Sequence, residues 1–265
     1  MKDVTDSIDN AGAETWQIPH LPLITRPHFT LHAHRTLDNQ PDSERAALEE
    51  YIYQRFLQVH DAHVTHFLPL IVGLRCHAAY SAAVGLAPAV QGTHPQSLFA
   101  ERYLTQPIEA VIASRLGCTI ERHRIVEIGN LVSSWKGSSL LLFIFLSEVI
   151  ERLGYHWVLF TATREVEALL TRLRYAPVVL TDADPGRLPD AGESWGRYYQ
   201  RQPRVMFGDV RSAVSKARTN SLYRAAVSMM ESQINKVCLQ YQALLLLNNE
   251  QVSVGSQQDA GAAHE

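Results

Sequence analysis

The 265-residue chain is 46% hydrophobic and 19% charged, with a formal charge of −3. That composition can build a core, which excludes wholesale disorder, and the near-balanced charge gives no global drive toward nucleic acid or an anionic membrane. The three cysteines, Cys76, Cys118 and Cys238, are far apart and form no CxxC pair, a pattern of a reducing compartment rather than of a disulfide framework. The N-terminus is acidic and polar with no apolar signal core, and the longest apolar run, Leu140 to Leu146, is far shorter than the roughly 20 residues of a spanning helix. The expectation is a soluble, cytoplasmic protein.

Residues 1–25 are polar and then proline-punctuated, the composition of a flexible arm. From Ser43, a possible N-cap, Ala47, Leu48, Tyr51, Ile52, Phe56 and Leu57 fall on one helical face. THFLPLIVGLRCHAAYSAAVGLAPA reads as two strands with a turn near Arg75–Ala78, and its Leu-Pro step suggests a bulge or an edge in the first of them. LFAERYL and PIEAVIASRLG read as short helical segments, the second begun by Pro107 and closed by Gly117. HRIVEIGNL reads as a strand, and the polar turn SSWKGSS leads from it into an apolar helix that stops at Gly154. HWVLFTAT, EVEALLTRLRY and APVVLTDA continue as strand, helix and strand, an α/β pattern with crossover helices. A turn-rich stretch follows, then the short strand candidate VMFGDV. A helical extension is expected over 211–249 and a disordered tail over 250–265.

The turn Ser133–Ser139 is the first candidate site. Between a strand and a helix, backbone N–H groups point outward and bind anions, and Lys136 would complement a phosphate. The alternative is an ordinary loop in which a serine caps the helix. Glu127 is the second candidate. It is a carboxylate in an otherwise apolar strand, and it faces a site, a partner cation or an exposed edge; as a general base it needs a pKa raised by burial. Asn130, three residues on, lies on the opposite face of an unbroken strand, so both line one pocket only where a bulge or the strand end intervenes. Thr161 and Thr163, at the end of a strand, serve the sheet or a substrate. Trp195, Tyr198 and Tyr199 either pack a loop onto the core or wall an acceptor site. His60, His63 and His66 straddle a helix end and a strand start and share no regular face, so no metal is expected; His60 or His63 is a candidate substrate contact. The C-terminal helix is a packing element or a homodimer contact, since it lacks the strongly basic face of an interfacial membrane helix.

The central order of helix, two antiparallel strands, strand–turn–helix, strand, helix and strand resembles the GNAT acetyltransferase fold. That resemblance implies a mixed central sheet flanked by helices over 26–210, and a turn Ser134-Trp135-Lys136-Gly137-Ser138-Ser139 that holds the pyrophosphate of coenzyme A. The strings PIEAVIASRLG, IVEIGNLVSS, HWVLFTAT, LTDADPGRLPD and WGRYYQRQPRVMFGDV resemble the bacterial thermostable hemolysin family over about residues 45 to 210. That family is similar in turn to GNAT enzymes and acyl-homoserine-lactone synthases. The synthases carry a strand motif of Glu followed three residues later by Arg, where this chain has Glu127 and Asn130. Many GNAT enzymes place a tyrosine general acid where this chain has Leu170, and the autoinducer synthases dispense with it. The resemblance implies transfer of an acyl group from acyl-CoA or acyl carrier protein to an amine of a small molecule, with no permanently bound cofactor, nucleic acid or metal. The alternatives are a membrane-lytic protein, as the family name says, and an inactive GNAT-like scaffold.

Overall fold

A computed structural model describes residues 27–33, 42–76, 79–134 and 136–261, with Lys136 and residues 247–261 described by backbone alone. The expected arm over 1–25, Trp135 and the side chain of Lys136 lie outside the described residues.

The elements in chain order are β1 (His28–Ala33), α1 (Ser43–His60), β2 (Leu70–Cys76), β3 (Ala79–Pro88), the two-residue strands β4 (Val90–Gln91) and β5 (His94–Pro95), and α2 (Ile108–Leu116). They continue as β6 (Ile125–Ser133), α3 (Lys136–Arg152), β7 (Trp157–Ala162), α4 (Arg164–Arg172), β8 (Val178–Asp182), β9 (Arg204–Asp209), α5 (Val210–Ala217) and α6 (Ser221–Gly261). Seven strands form one sheet in the order β1-β2-β3-β6-β7-β9-β8, and only β6 and β7 pair in parallel. A mixed central sheet flanked by helices and followed by a helical C-terminal extension is the architecture that the resemblance implies.

The strand alternation decides what covers each face. Phe29, Leu31, Val72, Val84, Val126, Ile128, Phe160 and Met206 point to a core shared with α3 and α6. Leu141 to Leu146 are all at most 4% exposed, so α3 is apolar around its middle because it is wrapped on all sides. The opposite face is covered in two parts. Helix α1 lays Leu48, Ile52 and Phe56 over Ile71, Ala83 and Val132. Helix α2 and the 3₁₀ turn Phe99–Tyr103 cover Ile125, Leu159, Val205 and Phe207.

Four local features differ from the sequence reading. Asp42, not Ser43, caps α1, its carboxylate accepting the N–H groups of Glu44 and Arg45. Pro69 sits just before β2 and introduces no bulge; β1 covers that strand, and the irregularity lies at Leu74/Arg75. Strand β1 itself is unforeseen: its alternation His28-Phe29-Thr30-Leu31 is short and half polar, and it is held by Phe29 stacking on Phe145 at 3.8 Å. The C-terminal helix is two helices, because the Asn220 side chain accepts the N–H of Leu222 and starts α6 afresh. The backbone of α6 then runs to Gly261, through residues expected to be disordered.

Candidate active site

Strands β6 and β7 pair only from Ile125–Trp157 to Ile128–Phe160. Beyond that point β6 runs on to Ser133 and β7 to Ala162 without facing each other, so the sheet splits. The cause is a bulge. Between the pairs Gly85–Gly129 and Ala83–Val132, β3 contributes one residue and β6 two, Asn130 and Leu131. Asn130 takes the left-handed conformation, φ 50°, that asparagine tolerates better than most side chains. Both ends of its amide are engaged: Oδ1 accepts the Leu68 N–H at 2.9 Å and Nδ2 donates to the His66 carbonyl at 3.0 Å. Asn130 therefore ties the 61–69 segment to the bulge, and the bulge is what brings Glu127 and Asn130 to one cavity.

That cavity, about 140 Å³, occupies the split. Glu127 forms part of its wall and is 3% exposed. One carboxylate oxygen accepts the N–H of Phe99 and the other that of Ala100, both at 2.7 Å. Burial pushes the carboxyl up to about 7; the two N–H groups pull against that and the nearby Glu101 charge adds to it. A carboxyl balanced near neutrality in a cavity has the ionisation that a general base needs.

The loop after β8 supplies an aromatic wall. Trp195 lies 5.9 Å from Phe56, 5.6 Å from Phe99 and 5.3 Å from Tyr198 between ring centres, and Tyr198 meets His60 edge-on at 5.3 Å. Two short backbone bonds hold this loop on the end of α1: His63 N–H to the Ser194 carbonyl and Arg197 N–H to the His60 carbonyl, each 2.6 Å. Trp195 and Tyr198 line the cavity. Tyr199 does not; its hydroxyl meets that of Tyr103 at 2.6 Å.

The histidines sort differently from expectation. His60 lines the cavity, and burial together with Arg201 lowers its pKa, so it is held neutral. His63 is exposed and pairs with the Tyr53 hydroxyl at 3.0 Å, away from the cavity. His66, and not the expected His63, lies at the cavity rim, stacked on Phe99. Thr161 and Thr163 both contribute to the wall, and Thr163 is also the N-cap residue of α4. Among the described residues no group of three His, Cys, Asp or Glu side chains is placed to hold a metal ion.

Two further spaces adjoin the cavity. One, about 640 Å³, opens outward and shares Phe56, His60, Leu131 and Val166 with it. Ser133, Ser134 and Ser139 of the turn line this outer space, flanked by Arg55 from α1 and Arg172 from α4. Ser134 bonds the Tyr51 hydroxyl at 2.9 Å, and Arg55 donates to the Ser133 carbonyl at 2.8 Å. Ser138 is fully buried and belongs to the core side of α3, not to the opening. The other space, about 100 Å³, lies behind the sheet and shares Ile128, Phe143 and Phe160 with the cavity; Leu146, Ile150, Leu170 and Tyr175 make it mostly apolar. The arrangement is thus three adjoining spaces with shared walls: an outer one beside a helix N-terminus and two guanidinium groups, a middle one at the split with a buried carboxyl, and an apolar recess.

The profile of the thermostable hemolysin family matches residues 38–214. No curated protein matches the chain. Among solved structures it is similar to the CoA-dependent acyl-homoserine lactone synthase MesI, at 16% identity over 72% of this chain and 94% of that one, with a TM-score of 0.41. It is also similar to FeeM, an N-acyl amino acid synthase from uncultured soil microbes, at 9% identity over 74% and 99% of the two chains, with a TM-score of 0.43. An acyl-CoA N-acyltransferase from Pseudomonas aeruginosa matches at 14% identity over 69% and 99%, with a TM-score of 0.36.

Proposed function

The chain belongs to the thermostable hemolysin family, and we propose that it is an N-acyltransferase moving an acyl group from acyl-CoA or acyl carrier protein to an amine of a small molecule. The observation that carries this reading is the parting of β6 and β7 beyond Ile128 and Phe160, with Glu127 buried in the resulting gap. A pantetheine arm entering at the Ser133–Ser139 turn reaches the gap through the shared wall of Phe56, His60, Leu131 and Val166. There the unpaired edge of β6 offers backbone amides to the thioester carbonyl, and the recess behind Phe160 takes the acyl chain.

The chemistry is a direct displacement. The lone pair of a neutral amine attacks the thioester carbon, the carbon–sulfur bond breaks and the thiolate departs with its electron pair. Glu127, directly or through a water, takes the proton that the attacking nitrogen must lose. Burial raises the phenols of Tyr103 and Tyr198, so both stay protonated and act as donors rather than bases. Leu170 is core, 4% exposed, and offers no proton to the thiolate, which leaves unassisted from that helix.

The direct test is thiol release from acyl-CoA across a panel of small amines, with binding of CoA followed by calorimetry. Gly137→Val adds a branched side chain at the second residue of α3, where a phosphate would approach the helix N-terminus. CoA affinity is expected to fall about tenfold or more while the melting temperature holds; unchanged affinity removes this turn from the site. The family name raises lysis as a competing activity. No helix among the described residues is long and apolar enough to cross a membrane. Purified protein without thioester or acceptor is expected to leave dye-loaded liposomes intact, and dose-dependent leakage would put lysis ahead of acyl transfer.

A further inference from the structure

Arg122 stands in the 3₁₀ turn Arg122–Arg124 that feeds directly into β6, five residues before Glu127. Its five N–H donors are all engaged. Nε donates to the Ala89 carbonyl at 3.2 Å, Nη2 to the Gln96 carbonyl at 2.6 Å, and Nη1 to Glu109. The remaining two form a fork on Glu101, at 2.7 and 2.8 Å. Glu101 in turn accepts the N–H of Leu98 at 3.0 Å and that of Ile108 at 2.9 Å. The pair thereby ties the start of the Phe99–Tyr103 turn to the start of α2, and the first two N–H groups of that turn are the ones on the Glu127 carboxylate. Both partners are 14% exposed in their side chains, so the fork is tight and poorly screened.

We propose that Arg122 is a positioning residue for Glu127, acting through Glu101 and the Phe99–Tyr103 turn. The idea rests on the acyltransferase reading only for its consequence; the device itself is a property of the fold. The charged and titratable groups around Glu127 are Glu101, Arg102 and Tyr103 on the turn, His66 at the cavity rim, His60 at the end of α1 and Tyr198 on the loop after β8, while β7 presents the neutral Thr161. Glu101 pushes the carboxyl toward the neutral form and Arg102 draws it back. Arg122 neutralises Glu101 at close range and keeps the two N–H donors on target. Its removal acts in one direction through both routes: an unpaired Glu101 charge and a loosened turn each favour protonated Glu127.

The experiment is a carbon-13 NMR titration of the full chain carrying labelled glutamate, with the Glu127 signal assigned by its loss in Glu127→Gln. Arg122→Gln is expected to move the Glu127 midpoint upward by about one pH unit. Arg122→Lys, which keeps the charge without the fork, is expected to fall between that variant and the wild type, and it decides the matter if the glutamine variant does not fold. Arg152→Gln, which breaks a comparable ion-pair hub on the other face of the sheet, should lower the melting temperature and leave the Glu127 midpoint in place. A merely structural Arg122 would lower stability with the midpoint unmoved, or shift it no more than Arg152→Gln does; either result overturns the proposal. Where acyl transfer is observed, the acid limb of kcat/KM moves up with the NMR midpoint. A shifted midpoint in a protein that acylates no amine would uphold the clamp and end the acyltransferase reading, so the two fail separately.

Discussion

Glu127→Gln is expected to yield a folded protein whose acyl transfer has dropped by roughly 10²–10⁴-fold, the range of a positioned acid–base group, with CoA binding little changed. Glutamine has nearly the shape of the carboxyl and still accepts one of the two N–H bonds from Phe99 and Ala100, but it takes no proton. The kinetics separate three roles. A base lost from the reaction lowers kcat; a lost anchor for an ammonium group raises KM for the acceptor; a structural group lowers stability and leaves activity per folded molecule intact. Stability against pH gives an independent check. The carboxyl's usual value is 4.5 and in the fold it is held at about 7. Below the first value it is protonated in both states and contributes nothing. Between the two, the unfolded chain releases a proton that the folded chain keeps, so stability falls as pH rises, by about 3 kcal/mol in total, and then levels off. Glu127→Gln is expected to remove that slope. A native fold that accepts such a cost above neutrality, in a strand where an apolar residue would pack, is the pattern of a functional group. Undiminished turnover in the variant would send the search for the base to His60 and the Trp195–Tyr198 wall.

The strand–turn–helix from Ile125 to Arg152 was legible because a short apolar run, Ile125 to Ile128 broken only by Glu127, gives way across the polar junction Ser133–Ser139 to apolar residues at helical spacing. Glu127 stood out there as a charge among apolar neighbours. Its partners did not, because Phe99 and Ala100 lie more than 25 residues away, in a turn whose own pattern says nothing about what its N–H groups face. The bulge was stated only as a condition for joining Glu127 to Asn130; the condition holds because Asn130 accepts φ 50° and spends its amide on His66 and Leu68. Strand β9 was legible as a strand, but its insertion between β7 and β8 is a long-range pairing that no local pattern encodes. The same applies to His63 and His66. The segment 61–69 has almost no regular structure, so spacing could not tell which imidazole turns inward. The break before α6, in contrast, carried a signal that was passed over: Thr219-Asn220-Ser221 is N-cap chemistry.

Gly196→Ala is expected to be the most damaging Gly→Ala change among the described residues. Gly196 has φ 51° and ψ −120°, a conformation essentially closed to side chains. A Cβ there would stand 2.2 Å from the Asp61 carbonyl oxygen, 2.5 Å from that of His60 and 2.6 Å from the Asp61 carbonyl carbon. These are backbone atoms at the end of α1, where Asp61 already occupies a left-handed C-cap, so they cannot swing aside as a flexible side chain would. Relief requires the 194–197 loop to lift, which breaks the short bonds from His63 N–H to Ser194 and from Arg197 N–H to His60. Trp195 and Tyr198 would leave the wall they share with Phe56, His60 and Phe99. Strain and lost packing together are expected to cost about 3 kcal/mol or more, or roughly 6–12 °C in melting temperature for a chain of this size. The surviving folded protein should show a KM for the acceptor raised about tenfold, with CoA affinity near normal, because the loop faces the cavity and not the Ser133–Ser139 opening. Gly117→Ala is the matched control: Gly117 also has positive φ, 68°, but nothing lies within 4 Å of its Cβ position, so it should lose only about 1 kcal/mol and keep its kinetics. Equal melting temperatures for the two variants would show that the aromatic loop does not rest on the end of α1, and the acceptor wall would have to be rebuilt from other residues.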